Sequence, residues 1–147
     1  MPWAREPELA ATIVNTQRAP RDWIDDHAFH YALVERETGE VLGVAGLNRQ
    51  SSSTAELHYW IRSDHAGRGL TTEACRRLVD WARSSLRLRT LTLWAGRENA
   101  SSRRVAEKLG FTHLGPLDRR PQGGLGDFAA ESYELRLDRQ DGGGSRA

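Results

Sequence analysis

A chain of 147 residues is long enough for one domain with a proper core, and 21 basic against 20 acidic side chains leave a net charge of +1. That balance provides no strong field for nucleic acid or an anionic membrane, so neither is expected as a partner. The single cysteine, Cys75, excludes an internal disulfide and suits a reducing compartment, and no long apolar run or charged-then-apolar leader points to spanning or export, so a cytoplasmic location is expected.

Pro7 to Arg18 carries Leu9, Ile13 and Val14 at the spacing of a short amphipathic helix, which Pro20 ends. Arg21 to His27 reads as a second helical turn that packs Trp23 and Ile24. His30 to Glu35 and Val41 to Leu47 read as two strands of a hairpin, joined by Arg36 to Glu40 with Gly39 in the loop. Asn48 to Ser53 is a polar turn, and Thr54 to Arg62 is rich in β-branched and aromatic residues, as a strand should be. From Thr71 the apolar spacing changes to Ala74, Leu78, Ala82 and Leu86, the period of a helix with Arg76, Arg77 and Arg83 on its wet side. Arg89 to Ala95 alternates as a strand. Asn99 begins a second helix with the stripe Val105, Ala106 and Leu109, and Gly110 ends it, since a left-handed position after a helix favours glycine. Phe111 to Leu117 and Glu131 to Leu137 read as strands, separated by a loop from Asp118 to Gly126. The expected organisation is one domain over residues 1–137 with a disordered tail over 138–147. Strands alternating with two helices after a leading hairpin give a mixed α/β sheet.

Gly67 and Gly69 stand between the central strand and its helix, where they can turn tightly and leave room for a ligand against the backbone. A helix start exposes unpaired N–H groups with partial positive charge, which attract phosphate. No Ser/Thr-x-x-Glu/Gln capping box opens this helix; Thr71 or Thr72 is expected to cap it weakly. A ligand phosphate would satisfy the remaining donors, with Arg68 adding charge. The five histidines show no zinc spacing. His27 and His30 could share a helix face, but no third ligand is near in sequence, so no metal is expected.

The chain carries Tyr59-Trp60 at a strand end, then His65-Ala66-Gly67-Arg68-Gly69, Thr72-Glu73-Ala74, Glu98-Asn99-Ala100-Ser101-Ser102 and Lys108-Leu109-Gly110-Phe111. These segments, in this order, resemble the acetyl-CoA core of the GNAT N-acetyltransferase superfamily. The branch they resemble contains the ribosomal-protein serine and alanine N-acetyltransferases (the Rim type). The resemblance runs over roughly residues 30 to 137. It implies the GNAT sheet, in which two neighbouring parallel strands splay apart and admit the pantetheine arm. It also implies a strand and helix ahead of this region, which the chain is expected to lack. A sheet that begins at the His30 strand would leave an open edge, so pairing with a second copy, or covering by residues 1–28, is expected.

The resemblance implies acetyl-CoA as cosubstrate, held by the strand end Trp60, Ile61 and Arg62 and by the loop and helix start Ala66, Gly67, Arg68, Gly69, Leu70, Thr71 and Thr72. Asn99 and Lys108 complete that set. Ala66 and Thr71 depart from the family's Arg/Gln-x-x-Gly-x-Gly/Ala pattern, yet neither removes a backbone donor. Asn99 has a structural role as helix cap, and Ser102, one turn on, is the candidate acid for the departing thiolate. A thiol ionises near pH 8.5, so a weak donor suffices. Glu56 and His58 lie two apart and so share a face of the central strand; either is a candidate base. Roughly a tenth of an α-amine is neutral at pH 7, against well under a thousandth of a lysine, so a modest base suffices for an α-amine. His65 and Cys75 read as structural, and Tyr133 and Trp94 as core. The expected function is acetyl transfer to a protein N-terminal α-amine, with a small amine such as an amino acid or amino-sugar drug as the alternative acceptor. A module that holds CoA without turnover is the alternative from a different class.

Overall fold

The computed structural model describes residues 20–117 and 129–137. The expected helix over 7–18, the loop over 118–126 and the tail over 138–147 lie outside the described residues, apart from Pro20 beside the first. Six strands form one sheet: β1 (Ala28–Val34), β2 (Val41–Arg49), β3 (Thr54–Ile61), β4 (Thr90–Gly96), β5 (Thr112–Pro116) and β6 (Ala130–Arg136). Helix α1 (Leu70–Ser84) joins β3 to β4, and α2 (Ala100–Lys108) joins β4 to β5. The strand order is β1-β2-β3-β4-β6-β5, with β3 and β4 the parallel pair and every other pair antiparallel. The mixed α/β sheet expected from the alternating pattern is the one observed.

Strand alternation sorts the residues into two faces. Cross-strand partners Phe29, Leu47 and Leu57, with Leu91 and Leu93 beyond, point to one face. There they meet Cys75, Leu78, Val79 and Ala82 of α1 and Ala106 of α2 in one core. Leu47, Leu57 and Leu91 are fully buried, each contributing about 2 to 3 kcal/mol. The buried stripe of α1 is broader than a four-residue repeat: Cys75 and Val79 fill it, Ala74 is half-buried, and Leu86 lies past the helix end. The helical turn at 20–24 packs Trp23 against Phe29, Tyr31 and Trp81, with ring centroids 5.0 to 6.0 Å apart. Ile24 corrects the expectation, because it is 84% exposed; one short turn can present only one of two adjacent side chains to the sheet.

The opposite face is polar. Register places His30, Gly46 and His58 in a row across β1, β2 and β3, and Asn48, Glu56, Thr92 and Glu134 in the next row. Gly46 is required there: a Cβ would stand 2.4 Å from the Phe29 carbonyl oxygen and 2.7 Å from His58 Nε2. His27 and His30 do not share a helix, since β1 has already begun at Ala28.

Candidate functional site

The parallel pairing of β3 with β4 is short. It runs through Thr54–Thr90, Ala55–Leu91 and Glu56–Thr92. Beyond Glu56, β3 stays with β2 as far as Ile61 opposite Gly43. Beyond Thr92, β4 stays with β6 as far as Gly96 opposite Ala130. The two strands therefore part, each held by its outer neighbour, and a cleft of about 910 Å³ is lined by the end of β3, the glycine turn, the first turn of α1 and one side of α2 as far as Lys108. That volume suits a sizeable small molecule.

At the mouth of the cleft a short 3-10 turn, Ser63–His65, leads into Ala66 to Gly69. Gly67 and Gly69 have φ of 79° and 77°, a region that costs an L side chain about 1–2 kcal/mol. Gly69 is the N-cap residue of α1, and no side chain caps that end. Thr71 and Thr72 are buried in the first turn instead, because the helix starts at Leu70, ahead of the threonines. The first chain bond closing the helix runs from the Glu73 N–H to the Gly69 carbonyl at 3.0 Å. Among the described residues, the backbone N–H groups from Gly67 to Thr72 have no partner.

Trp60, Ile61, Arg62, Ala66, Gly67, Arg68, Gly69, Leu70, Thr71, Thr72, Asn99, Ser102 and Lys108 all line this one cleft. Arg62 is committed elsewhere, since its guanidinium is bonded to Glu40 and, at 2.7 Å, to Asp64. Arg68 lies 3.0 Å from His65 Nδ1. Tyr59, a motif residue given no site role from sequence, His65, read as structural, and Arg104, not singled out, also line the cleft. The spacing of Arg104 and Lys108, one turn apart on a helix face, could have found the former.

Asn99 caps α2, its side chain accepting the Ser102 N–H at 3.1 Å. Across the parted strands Tyr59 reaches α2: its hydroxyl lies 2.9 Å from the Ser102 carbonyl oxygen and 2.9 Å from Ser102 Oγ. Burial raises the Tyr59 pKa above the ordinary phenol range, so it stays neutral.

Glu56 and His58 do not line the cleft; they sit on the polar sheet face, Glu56 at the last paired position before the strands part. Trp94, half-buried on this face rather than in the core, donates its indole N–H to Glu56, and Gln50 Nε2 stands 3.5 Å from Glu56 Oε2. Burial nevertheless raises the Glu56 pKa. His58 and His30 meet over Gly46 with ring centroids 4.9 Å apart and planes tilted by 49°. Burial first, and then His30, lower the His58 pKa to about 4, and its buried Nε2 has no hydrogen-bond partner among the described residues. Among those residues no cluster of His, Cys, Asp and Glu could hold a metal, and no helix is long and apolar enough to cross a membrane.

Comparison with known proteins gives a family match, acetyltransferase (GNAT) domain, over residues 1–112. The ribosomal-protein-serine acetyltransferase of Escherichia coli (strain K12) is 32% identical over 97 residues, 65% of this chain and 51% of that protein. The chain spans about half the length of the curated relatives it matches. Among solved structures, a probable acetyltransferase superposes with a TM-score of 0.78 at 27% identity, over 90% of this chain and 75% of that one. Microcin C7 self immunity acetyltransferase MccE, solved in complex with acetyl-CoA and AMP, has the same fold, with a TM-score of 0.74 at 18% identity over 88% and 72%.

Proposed function

The chain belongs to the acetyltransferase (GNAT) domain family, and from that premise we propose that it moves acetyl from acetyl-CoA to a primary amine by direct attack in a ternary complex. The observation that carries this is the run of unpartnered N–H groups from Gly67 to Thr72, opening onto a cleft that continues between two parted strands. Those donors, at a helix N-terminus, suit the pyrophosphate. Arg68, Arg104 and Lys108 add positive charge along the walls. Backbone groups of β3 from Leu57 to Ile61, released from β4, can bond the pantetheine amides as a missing strand would.

The attack needs a neutral amine held against the thioester, which is largely a matter of positioning. Glu56, outside the cleft lining at the point where the strands part, receives the amine's proton through a bridging water; its raised pKa makes it a better base than His58, which gives up its own proton near pH 4. The C–S bond breaks with its electron pair on sulfur, and Ser102 Oγ–H donates a hydrogen bond to that sulfur. Cys75 takes no part: it is 0% exposed, and burial pushes its thiol up to about 12.

The acceptor in this account is a protein N-terminal α-amine, supported by the larger neutral fraction such an amine has at pH 7 and by the name of the Escherichia coli relative. A small amine is the alternative. The single buried Cys75 and the acetyl-CoA donor support a cytoplasmic setting, and the outer edge of β1 is proposed to take a second copy of the chain. The test is calorimetric titration with acetyl-CoA in metal-free buffer. Saturable one-to-one binding is expected, and no binding overturns the proposal.

A further inference from the structure

The Tyr59 hydroxyl lies 2.9 Å from both oxygens of Ser102, and both residues line the cleft wall where β3 has left β4. A phenol has one proton and can still accept, whereas a carbonyl can only accept. Two arrangements follow. If Tyr59 donates to the Ser102 carbonyl, Ser102 Oγ–H points back to Tyr59, and Oγ shows only lone pairs to the cleft. If Tyr59 donates to Oγ, the Ser102 proton is free to turn toward the cleft.

We propose that Tyr59 is a positioning residue that sets the direction of the Ser102 O–H bond and so lets Ser102 hydrogen-bond to the CoA sulfur. This rests on the acetyl-CoA reading above and adds to it the residue that makes Ser102 an effective donor. The step needs only rotation of the Tyr59 O–H from the carbonyl to Oγ; no proton leaves either side chain, and the sulfur's negative charge is met by a hydrogen bond. Tyr59 suits a role without ionisation because burial keeps it neutral. Without it, the serine hydroxyl would turn to another acceptor, the carbonyl of the N-cap residue Asn99 three positions back being the nearest in sequence.

The experiment titrates the thiol of bound CoA by the ultraviolet absorbance of its thiolate, subtracting the protein alone, and so needs no acceptor. A donor on the sulfur lowers the thiol pKa. Tyr59→Phe should raise the pKa of bound CoA by roughly half to one unit, a 3- to 10-fold change in thiolate ionisation. Ser102→Ala should raise it equally, and the double variant no further. The other ionisable side chains of the cleft, Arg62, Asp64, His65, Arg68, Arg104 and Lys108, are common to all four proteins. CoA affinity within about two-fold of the original is expected in each. A thiol pKa in Tyr59→Phe equal to that of the original protein overturns the proposal, as do two single shifts that add in the double variant. Loss of CoA binding in Tyr59→Phe alone also overturns it, by making the hydroxyl a structural tie. Failure of the original protein to bind CoA would instead remove the acetyl-CoA reading itself.

Discussion

Gly69 stands at φ 77° as the residue ahead of α1, and a Cβ built on it meets nothing within 4 Å. Crowding of the protein is therefore not what a side chain there would cause; the cost is conformational. An alanine held at that φ costs about 1–2 kcal/mol, and a β-branched valine more. If free Gly69→Ala relaxes out of the left-handed region but must return to it to present its N–H groups, that cost falls on binding. CoA affinity then drops by about 5- to 30-fold, and Gly69→Val falls below that range. Neither variant disturbs the core, so the far-ultraviolet spectrum should stay near that of the original protein. If the variant keeps φ positive in both states, the same 1–2 kcal/mol appears as lost stability, about 2–8 °C in Tm for a chain of this size. The assay is calorimetry with CoA beside thermal melting. CoA affinity and Tm in Gly69→Val both equal to those of the original protein would refute the placement of the pyrophosphate on this turn.

Glu56→Gln should lower kcat by about 10²-fold, the usual range for removing a general base, with KM for acetyl-CoA little changed because Glu56 lies outside the cleft lining; steady-state kinetics with a fixed acceptor checks this. Cys75→Ala should cost about 1–2 kcal/mol of stability through its fully buried site and leave acetyl transfer intact, with no acetyl-cysteine by mass spectrometry in the original protein. His58 has a folded pKa of about 4 against 6.5 when free. The unfolded chain therefore takes up its proton first, and the stability that His58 contributes is present above pH 6.5 and lost as pH falls toward 4, at most ~3 kcal/mol. His30 acts in the same sense and Glu56, whose pKa is raised, in the opposite one. The comparison to make is thus melting curves of the original and His58→Gln proteins, with the shallower pH dependence in the variant.

What could be read ahead of the fold was local in sequence. The strand-to-helix switch at Gly67–Gly69, the Asn99 cap and the Gly110 stop each rest on neighbours within a turn, and all three appear with φ values or bonds to match. The start of α1 was misread because Thr71 and Thr72 are good caps by chemistry, while glycine wins where the chain must be left-handed. The parting of β3 from β4 had no local signal; the resemblance alone implied it. It depends on β2 and β6, strands distant in sequence, holding the two apart. Tyr59 and Ser102 are 43 positions apart, so their contact belongs to the same class of information. His58 could be placed on a strand face from its spacing to Glu56, but its depressed pKa comes first from burial in the folded sheet and then from His30 across Gly46, two strands away.

Acetyl transfer to an amine is measured most directly by following thiol release from acetyl-CoA in the presence of peptides beginning with Ser, Ala or Thr, alongside small amines. Thiol release matched one for one by amide product is expected, with peptides whose α-amine is free preferred at neutral pH. No thiol release with any acceptor, from a protein that binds CoA, would contradict it and leave a module that holds the cofactor without turning it over.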